Sequence, residues 1–380
     1  MRNDRAYVTN RTVQPKGVEM ARYAETVLTK CIECGLCIER CDFLIAYGRT
    51  PKELADEALE TGFKNNRVLP YSCNICGYCR TVCPEGLDIG SMMAEVRERM
   101  VAEGDGPLNA HLPAILAEET AVSKEIWTIS PGKDADSCER VFMPGCSLSA
   151  YSPELVQKTY SFLADHLGNV GIALTCCGGP SQLIGRVEQA RQVAKRLEGE
   201  LLSLGAKEII TACPYCTNNL SRYFMKIKVV PLYPLLMDLE NDLLSRGKGT
   251  FSLHDPCSAR GWPDVHDAVR FLIVRSGSLY EEPEDNRERS QCCGMGGMVM
   301  LANPSIAISR SKRAICGTDH DIVTYCCSCR NMFSSQGVGA IHLLDLLFRD
   351  EPAEWAAFPP SDPATGEANT RLLGNWIRAL

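Results

Sequence analysis

Two short runs hold residues whose types and spacing point to metal chemistry: CIECGLCIERC, from Cys31 to Cys41, and CNICGYCRTVCP, from Cys73 to Pro84. Cys31, Cys34 and Cys37 are followed by Cys41, and Cys73, Cys76 and Cys79 by Cys83. Three thiolates at this spacing wrap three corners of a cubane of four irons and four sulfides, and the fourth cysteine of such a run serves the neighbouring cluster. The expected ligand sets are therefore Cys31, Cys34, Cys37 and Cys83 for one cubane, and Cys73, Cys76, Cys79 and Cys41 for the other. Gly35 and Gly77 suit backbone that passes close to a bulky cluster with its amides aimed at the sulfides. Structural zinc asks for two pairs of ligands in a tetrahedron, which three cysteines in seven residues satisfy poorly. One departure stands out. Cys83 is followed by Pro84, but Cys41 is followed by Asp42; proline shapes the exit turn and is not a ligand, so the set stays complete.

Further along, TCCGGP and QCCGMGG each put two adjacent cysteines before a glycine. On a strand such neighbours point to opposite faces; only a turn, which Gly178 and Gly294 permit, brings both to one object. Each pair is the centre of a set of five. The first is Cys146, Cys176, Cys177, Cys213 and Cys216, and the second is Cys257, Cys292, Cys293, Cys326 and Cys329. Equivalent members lie 111, 116 and 113 residues apart, so the chain repeats one larger unit. Five thiolates exceed the four of a tetrahedral zinc or a simple cubane, which points to a larger or opened iron–sulfur cluster in each copy. His254, three residues before Cys257, could protonate a leaving thiolate, donate a hydrogen bond to a ligand, or simply pack. Arg260 could meet an anionic substrate or pair with an acid. Cys138, Cys316 and Cys327 fall outside the sets and read as spare or buried thiols.

The elements that must position these residues follow from local signals. Between the first two motifs, Thr50 can cap, Pro51 fits the first helical position and Glu53 completes a capping box, so the linker is helical. An all-helical dicluster domain is expected rather than a ferredoxin built on small sheets. In the first repeat, the apolar strand RVFMPGC ends at Cys146, and a helix follows with Ser152 as cap, Pro153 in its first turn and Gly168 as its stop. The strand GIALTCCGG then ends at the adjacent pair. A helix with Val187, Ala190, Ala194, Leu197, Leu201 and Leu204 at spacings of three and four leads to the strand KEIITACPYC. The second repeat runs in step: strand TFSLHDPC, a helix opened by Asn303 and Pro304 and stopped at Gly317, and strand DIVTYCCSC. Strand–helix alternation implies parallel sheets, whose ligands bind beyond the carboxyl ends of the strands; the ten repeated cysteines are expected there. The fold class is α+β: a helical ferredoxin-like domain over 1–135, then two pseudo-twofold-related Rossmann-like α/β domains over 136–247 and 248–350. A proline-rich tail over 351–380 carries Leu372, Leu373, Trp376, Ile377 and Leu380 on one helical face, suited equally to the chain's own core or to docking a partner.

Composition narrows the function classes. Twenty-one cysteines in tight clusters along 380 residues speak for metal or redox chemistry in a reducing cytoplasm, not for a disulfide framework. The net charge of −7 leaves no basic footprint for nucleic acid. The opening MRNDRAYVTNRTVQPK lacks the apolar stretch of a secretory signal, and no apolar run is long enough to span a membrane. No GxGxxG follows a strand, so flavin or hydride chemistry is expected to belong to a partner subunit.

The paired five-cysteine sets resemble the CCG-domain pair of heterodisulfide reductases. With two ferredoxin motifs fused in front, the chain resembles their D-type subunit, a fusion of the C-type and B-type subunits. The resemblance implies four clusters, two cubane and two noncubane, with the noncubane pair flanking a mixed disulfide of coenzymes M and B. It also implies an electron-donor partner, such as a flavoprotein, in a hetero-oligomeric complex. Related fusions serve glycolate and glycerol-3-phosphate oxidation, succinate and fumarate reduction, and bifurcating acyl-CoA reductase complexes, where several have lost cysteines from one set. Retention of all ten favours the heterodisulfide-type lineage. Ser258-Ala259-Arg260 stands after Cys257 where the family pattern leads one to expect a histidine. Two roles follow from the resemblance: catalytic disulfide reduction, or an electron relay inside a larger complex.

Overall fold

The computed structural model describes residues 22–133, 135–239, 249–349 and 362–380. Residues 22–127 form helices and turns without a strand, among them Arg22–Lys30, Asp42–Tyr47, Pro51–Glu60, Tyr78–Val82 and Ile89–Ala102. The capping box forms as the sequence predicts: the Glu53 amide donates to Thr50 Oγ1 at 3.2 Å and the Thr50 amide to Glu53 Oε2 at 2.7 Å. Apolar residues on these helices, including Val27, Leu54, Met92 and Val96, make a core of their own. Ile184, Val299, Ile306 and Ala307 from the later domains join it, so the helical domain is packed onto the rest rather than tethered to it.

Two mostly parallel sheets follow. The first contains β1 (Thr128–Ser130), β2 (Arg140–Met143), β3 (Val170–Leu174), β4 (Glu208–Thr211) and β5 (Lys228–Pro231), in the order β1-β3-β2-β4-β5. The second contains β6 (Thr250–His254), β7 (Leu279–Glu281), β8 (Ile322–Thr324) and β9 (Ala340–His342), in the order β7-β6-β8-β9. Leaving β1 aside, both sheets place their second strand beside the first, then the third, then the fourth. β1 pairs antiparallel with β3, so the first sheet starts ahead of residue 136 and is not purely parallel. Ser152 caps Pro153–Leu167 through the Leu155 amide at 3.3 Å, and Gly168 ends that helix at φ 77°.

The two halves share one apolar core. Phe142, Ile172, Val230 and Leu236 of the first half meet Phe251, Leu253, Leu272, Val323 and Ile341 of the second. The C-terminal helix Pro363–Arg378 adds Leu373 and Ile377 to it, and Trp376 meets the Tyr160 ring edge-on at 5.5 Å. Of the two uses its apolar face suited, the helix puts Leu373 and Ile377 into the chain's own core, while Leu372 stays exposed. Most of the proline-rich stretch before it, residues 350–361, lies outside the described residues, as does the N-terminal stretch 1–21. Leu373→Ala is expected to cost about 2–5 kcal/mol, the range for emptying a leucine site in a packed core. A denaturation midpoint unchanged from that of the parent chain would show the helix to be detached.

Candidate metal centres

The fold carries cysteines to the carboxyl ends of its strands. Cys146 opens the helix Cys146–Tyr151 after β2, Cys176 and Cys177 follow β3, and Cys213 is the N-cap of Pro214–Tyr223 after β4. In the second half, Cys257 begins a short 3-10 turn after β6, and Cys326 is the N-cap of Cys327–Ser335 after β8. Cys292 and Cys293 differ. A loop separates them from the end of β7 at Glu281. That loop reaches the helical domain, where Arg40 pairs with Asp285 at 2.5 Å and with Glu284 at 3.1 Å.

The adjacent pairs fold alike. The Gly178 amide donates to Cys176 Sγ at 3.3 Å and the Gly294 amide to Cys292 Sγ at 3.4 Å. Both glycines hold positive φ, 80° and 98°, and a Cβ would stand 2.9 Å from Ala190 O in one case and 2.2 Å from Ala307 O in the other. Glycine is therefore required at both positions on conformational and steric grounds. Within each set the thiols face one another. Hydrogen bonds from Cys176 and Cys216, helped by the Gly179 amide, hold the Cys177 thiol well below its ordinary value against burial. Cys292 and Cys329 do the same for Cys293, lowering it to about 5 despite burial. Cys257 Sγ lies 3.8 Å from Cys292 Sγ. Cys146 is exposed to solvent, yet the surrounding protein and then the charge of Cys177 push its thiol up to about 11.

The helical domain groups its thiols across the two motifs. Cys31, Cys34, Cys37 and Cys83 line a single recess with Gly35, Pro51, Leu87 and Ile89. Burial, then the charges of Cys31, Cys41 and Cys83, push Cys37 up to about 12. Cys41 instead neighbours Cys76, and Cys73 neighbours both. Among the described residues no three His, Cys, Asp or Glu side chains crowd together as ligands of one ion. Soft thiolate donors, glycine clearance and recesses rather than point sites are what a polynuclear iron–sulfur group asks for, and the residues present fit such groups.

Three contacts tie the sets together. Cys76 and Cys292 are close enough to hydrogen-bond, which joins the second ferredoxin motif to the second half. Cys213 and Cys326 do the same between the two halves. Ser147, next to Cys146, lies 3.3 Å from Ser328 across the same boundary.

His254 ends β6, buried beside Phe333 at 4.7 Å, with Nε2 unpartnered and burial lowering it to about 4. Arg260 is placed otherwise than its sequence context suggests. Among the described residues it forms no ion pair with an acid. Its guanidinium donates to Cys76 O at 3.0 Å, to Ser290 O at 2.7 Å and to Glu288 O. It is a clasp between the second ferredoxin motif and the second half. Cys138 is buried against Gly171, Cys316 is exposed, and Cys327 is buried beside Cys326.

Sequence reasoning missed the residues that dock the helical domain. Asn74 Nδ2 donates to Gly294 O at 2.9 Å and Gly296 O at 3.2 Å. A Cβ on Gly297 would stand 2.4 Å from Cys73 O, so the glycines of QCCGMGG serve close approach as well as the turn. Arg97, fully buried, donates to Pro70 O, Cys73 O, Leu183 O and Gly297 O at 2.6 to 3.0 Å. Only the spare glycines hinted at this contact.

The family comparisons agree with this arrangement. A 4Fe-4S dicluster domain model matches residues 30–88, and a cysteine-rich CCG domain model matches twice, at 141–221 and 251–334. The chain belongs to the CCG-domain iron–sulfur proteins. This CCG protein is 26% identical over 361 residues to one of the subunits of the fumarate reductase (CoM/CoB) of Methanothermobacter marburgensis, covering 84% of this chain and 71% of that one. It is 25% identical over 362 residues to the D-type subunit of the dihydromethanophenazine:CoB–CoM heterodisulfide reductase of Methanosarcina mazei, covering 79% and 86%. The iron–sulfur subunit of Escherichia coli glycolate oxidase is more distant, 22% identical over 380 residues. The CCG protein is thus an iron–sulfur oxidoreductase subunit of the heterodisulfide reductase family. None of its described helices is long and apolar enough to cross a membrane.

Proposed function

We propose that this chain passes electrons from two cubane clusters in the helical domain to two noncubane clusters, one in each CCG half, and that a disulfide is reduced between the latter. The observation that carries the reading is the meeting of the two five-cysteine sets. Cys213 touches Cys326 across the boundary, and the exposed Cys146 opens beside it. Reduction of a disulfide takes two electrons and two protons and yields two thiols. Iron–sulfur clusters supply electrons singly, so paired sets facing one boundary answer that mismatch. The shared strand order supports a pseudo-twofold relation between the halves.

Cys31, Cys34, Cys37 and Cys83 would hold the first cubane, and Cys41, Cys73, Cys76 and Cys79 the second. The two five-cysteine sets would hold the noncubane groups, with Gly178 and Gly294 clearing backbone from them. The Cys76–Cys292 contact makes the second half the point of entry. The mixed disulfide of coenzymes M and B is the proposed substrate, on the strength of the named relatives and the retention of all ten cysteines. A donor protein, flavoprotein or otherwise, would load the helical domain. Anaerobically purified chain is expected to hold about sixteen irons, four for each cluster. It is also expected to reduce the mixed disulfide with a reduced viologen as donor. About eight irons, or stoichiometric zinc, would remove the noncubane assignment.

A second reading, an electron relay within a larger complex, is favoured by one observation. The Tyr233 hydroxyl bonds Ala212 O at 3.1 Å and Tyr325 O at 3.2 Å, filling part of the boundary between the halves. Full iron content without viologen-driven disulfide reduction would decide for the relay.

A further inference from the structure

Asp42 occupies the place after Cys41 where the matching motif has Pro84 after Cys83. It is buried. Its partners all come from one helix of the second CCG half, Pro304–Ala314. Ser309 Oγ donates to Oδ1 at 2.7 Å, Arg313 approaches both carboxylate oxygens at 3.1 and 3.2 Å, and Arg310 lies 3.5 Å from Oδ2. Arg310 is itself only 2% exposed. Its Nη1 donates to Arg40 O, its Nη2 lies 4.0 Å from Cys76 Sγ, and its guanidinium carbon is 5.5 Å from the Tyr78 ring centroid. Cys41, Cys76 and Cys292 all act on it electrostatically. A buried guanidinium therefore sits where the second ferredoxin set meets the second five-cysteine set. Among the described residues, the charged one lining the first set's recess is Glu33, and its partner Lys52, 3.2 Å away, is a partly exposed ammonium rather than a buried guanidinium.

An electron arriving at a buried centre adds one negative charge. A guanidinium beside it in a low-dielectric surround stabilises that charge far more than a solvated one would, and such outer groups tune cluster potentials. We infer that the charge of Arg310, anchored and partly offset by Asp42, gives the cluster held by Cys41, Cys73, Cys76 and Cys79 a higher reduction potential than the one held by Cys31, Cys34, Cys37 and Cys83. Arg310 thus biases electrons toward Cys292. The step is a single-electron transfer: the first cluster is oxidised, the second reduced, no bond changes and no proton moves. Asp42 and Arg310 are positioning residues. The inference rests on the cluster assignment proposed above and assigns a direction within it.

The test is an anaerobic redox titration of the full-length chain, followed by electron paramagnetic resonance and paired with iron analysis. Arg310→Gln is expected to move the midpoint of one cubane signal to lower potential and leave the other where it was. Arg310→Lys, which keeps the charge, is expected to restore most of the shift. Asp42→Asn, nearly isosteric, keeps an oxygen for the arginines to meet and is expected to raise the same midpoint, because the Arg310 charge is then less compensated; it decides the matter if Arg310→Gln loses iron. Midpoints unchanged in Asp42→Asn and in an iron-replete Arg310→Gln chain overturn the inference, as does an equal shift of both signals. Absence of two cubane signals from the unsubstituted chain would instead overturn the cluster assignment beneath it.

Discussion

Serine in place of Cys293 is expected to bring disulfide reduction to background while the ferredoxin-type signals still appear on treatment with dithionite. Cys293 is buried, and Cys292, Cys329 and the Met295 amide favour its thiolate. A thiolate is the form that binds iron, and a serine hydroxyl is neither ionised nor soft enough to replace it. The helical domain holds its own thiols on separate elements, so its centres do not depend on this one. The measurement pairs viologen-driven turnover with low-temperature spectra of the same sample. Full turnover in the Cys293→Ser chain would end the catalytic reading. Turnover that fails only when electrons must come from a partner protein would favour the relay.

Replacing Asp255 with alanine is expected to be the most destabilising change away from the cysteines. Its carboxylate has no exposed surface. It accepts from Arg270 Nη1 at 3.1 Å and Nη2 at 2.8 Å, from the Tyr325 hydroxyl at 2.8 Å and from the Arg287 amide at 2.8 Å. Alanine would leave a buried guanidinium short of one of its two carboxylates, since Glu282 remains at 2.6 Å, and would strand a buried hydroxyl. Breaking a buried pair from one side costs about 3–5 kcal/mol. The same carboxylate anchors the segment leading to Cys257, so loss of iron from the second set is expected alongside the lower denaturation midpoint. The exposed pair Arg371–Glu367 gives the contrast: Arg371→Ala is expected to cost about 0.5 kcal/mol or less. Similar losses in the two variants would contradict the argument.

The parts of this architecture that are local in sequence were legible in it. Thr50, Pro51 and Glu53 announce a helix because the capping box is a contact between residues three apart. The adjacent cysteine pairs announce a turn because glycine follows them, and the repeat announces itself through spacing alone. Short strands escaped notice: β5, β7 and β9 have three or four residues each, too few for a period of two to show. The long-range contacts escaped for a different reason. Arg260 clasps Cys76 O, and Asp42 holds a helix more than 250 residues away, through side chains whose local surroundings carry no signal of either partner. Asp42 was conspicuous only as a missing proline, and the docking role of Gly296 and Gly297 was masked by their place beside the cysteine turn.

Arg97 has a consequence for how the protein is made. Its guanidinium is buried without a carboxylate, and burial pulls it down to about 10. The four carbonyls that compensate for that burial belong to residues 70, 73, 183 and 297. A nascent chain that has not yet reached Gly297 lacks the last of them, and Asn74 lacks its partner Gly294. The helical domain therefore completes its contacts around the second motif only once the second CCG half has been synthesised. On the cluster assignment proposed above, the surroundings of Cys73, Cys76 and Cys79 are completed late, and a chain truncated before Gly297 is expected to hold that cluster less firmly.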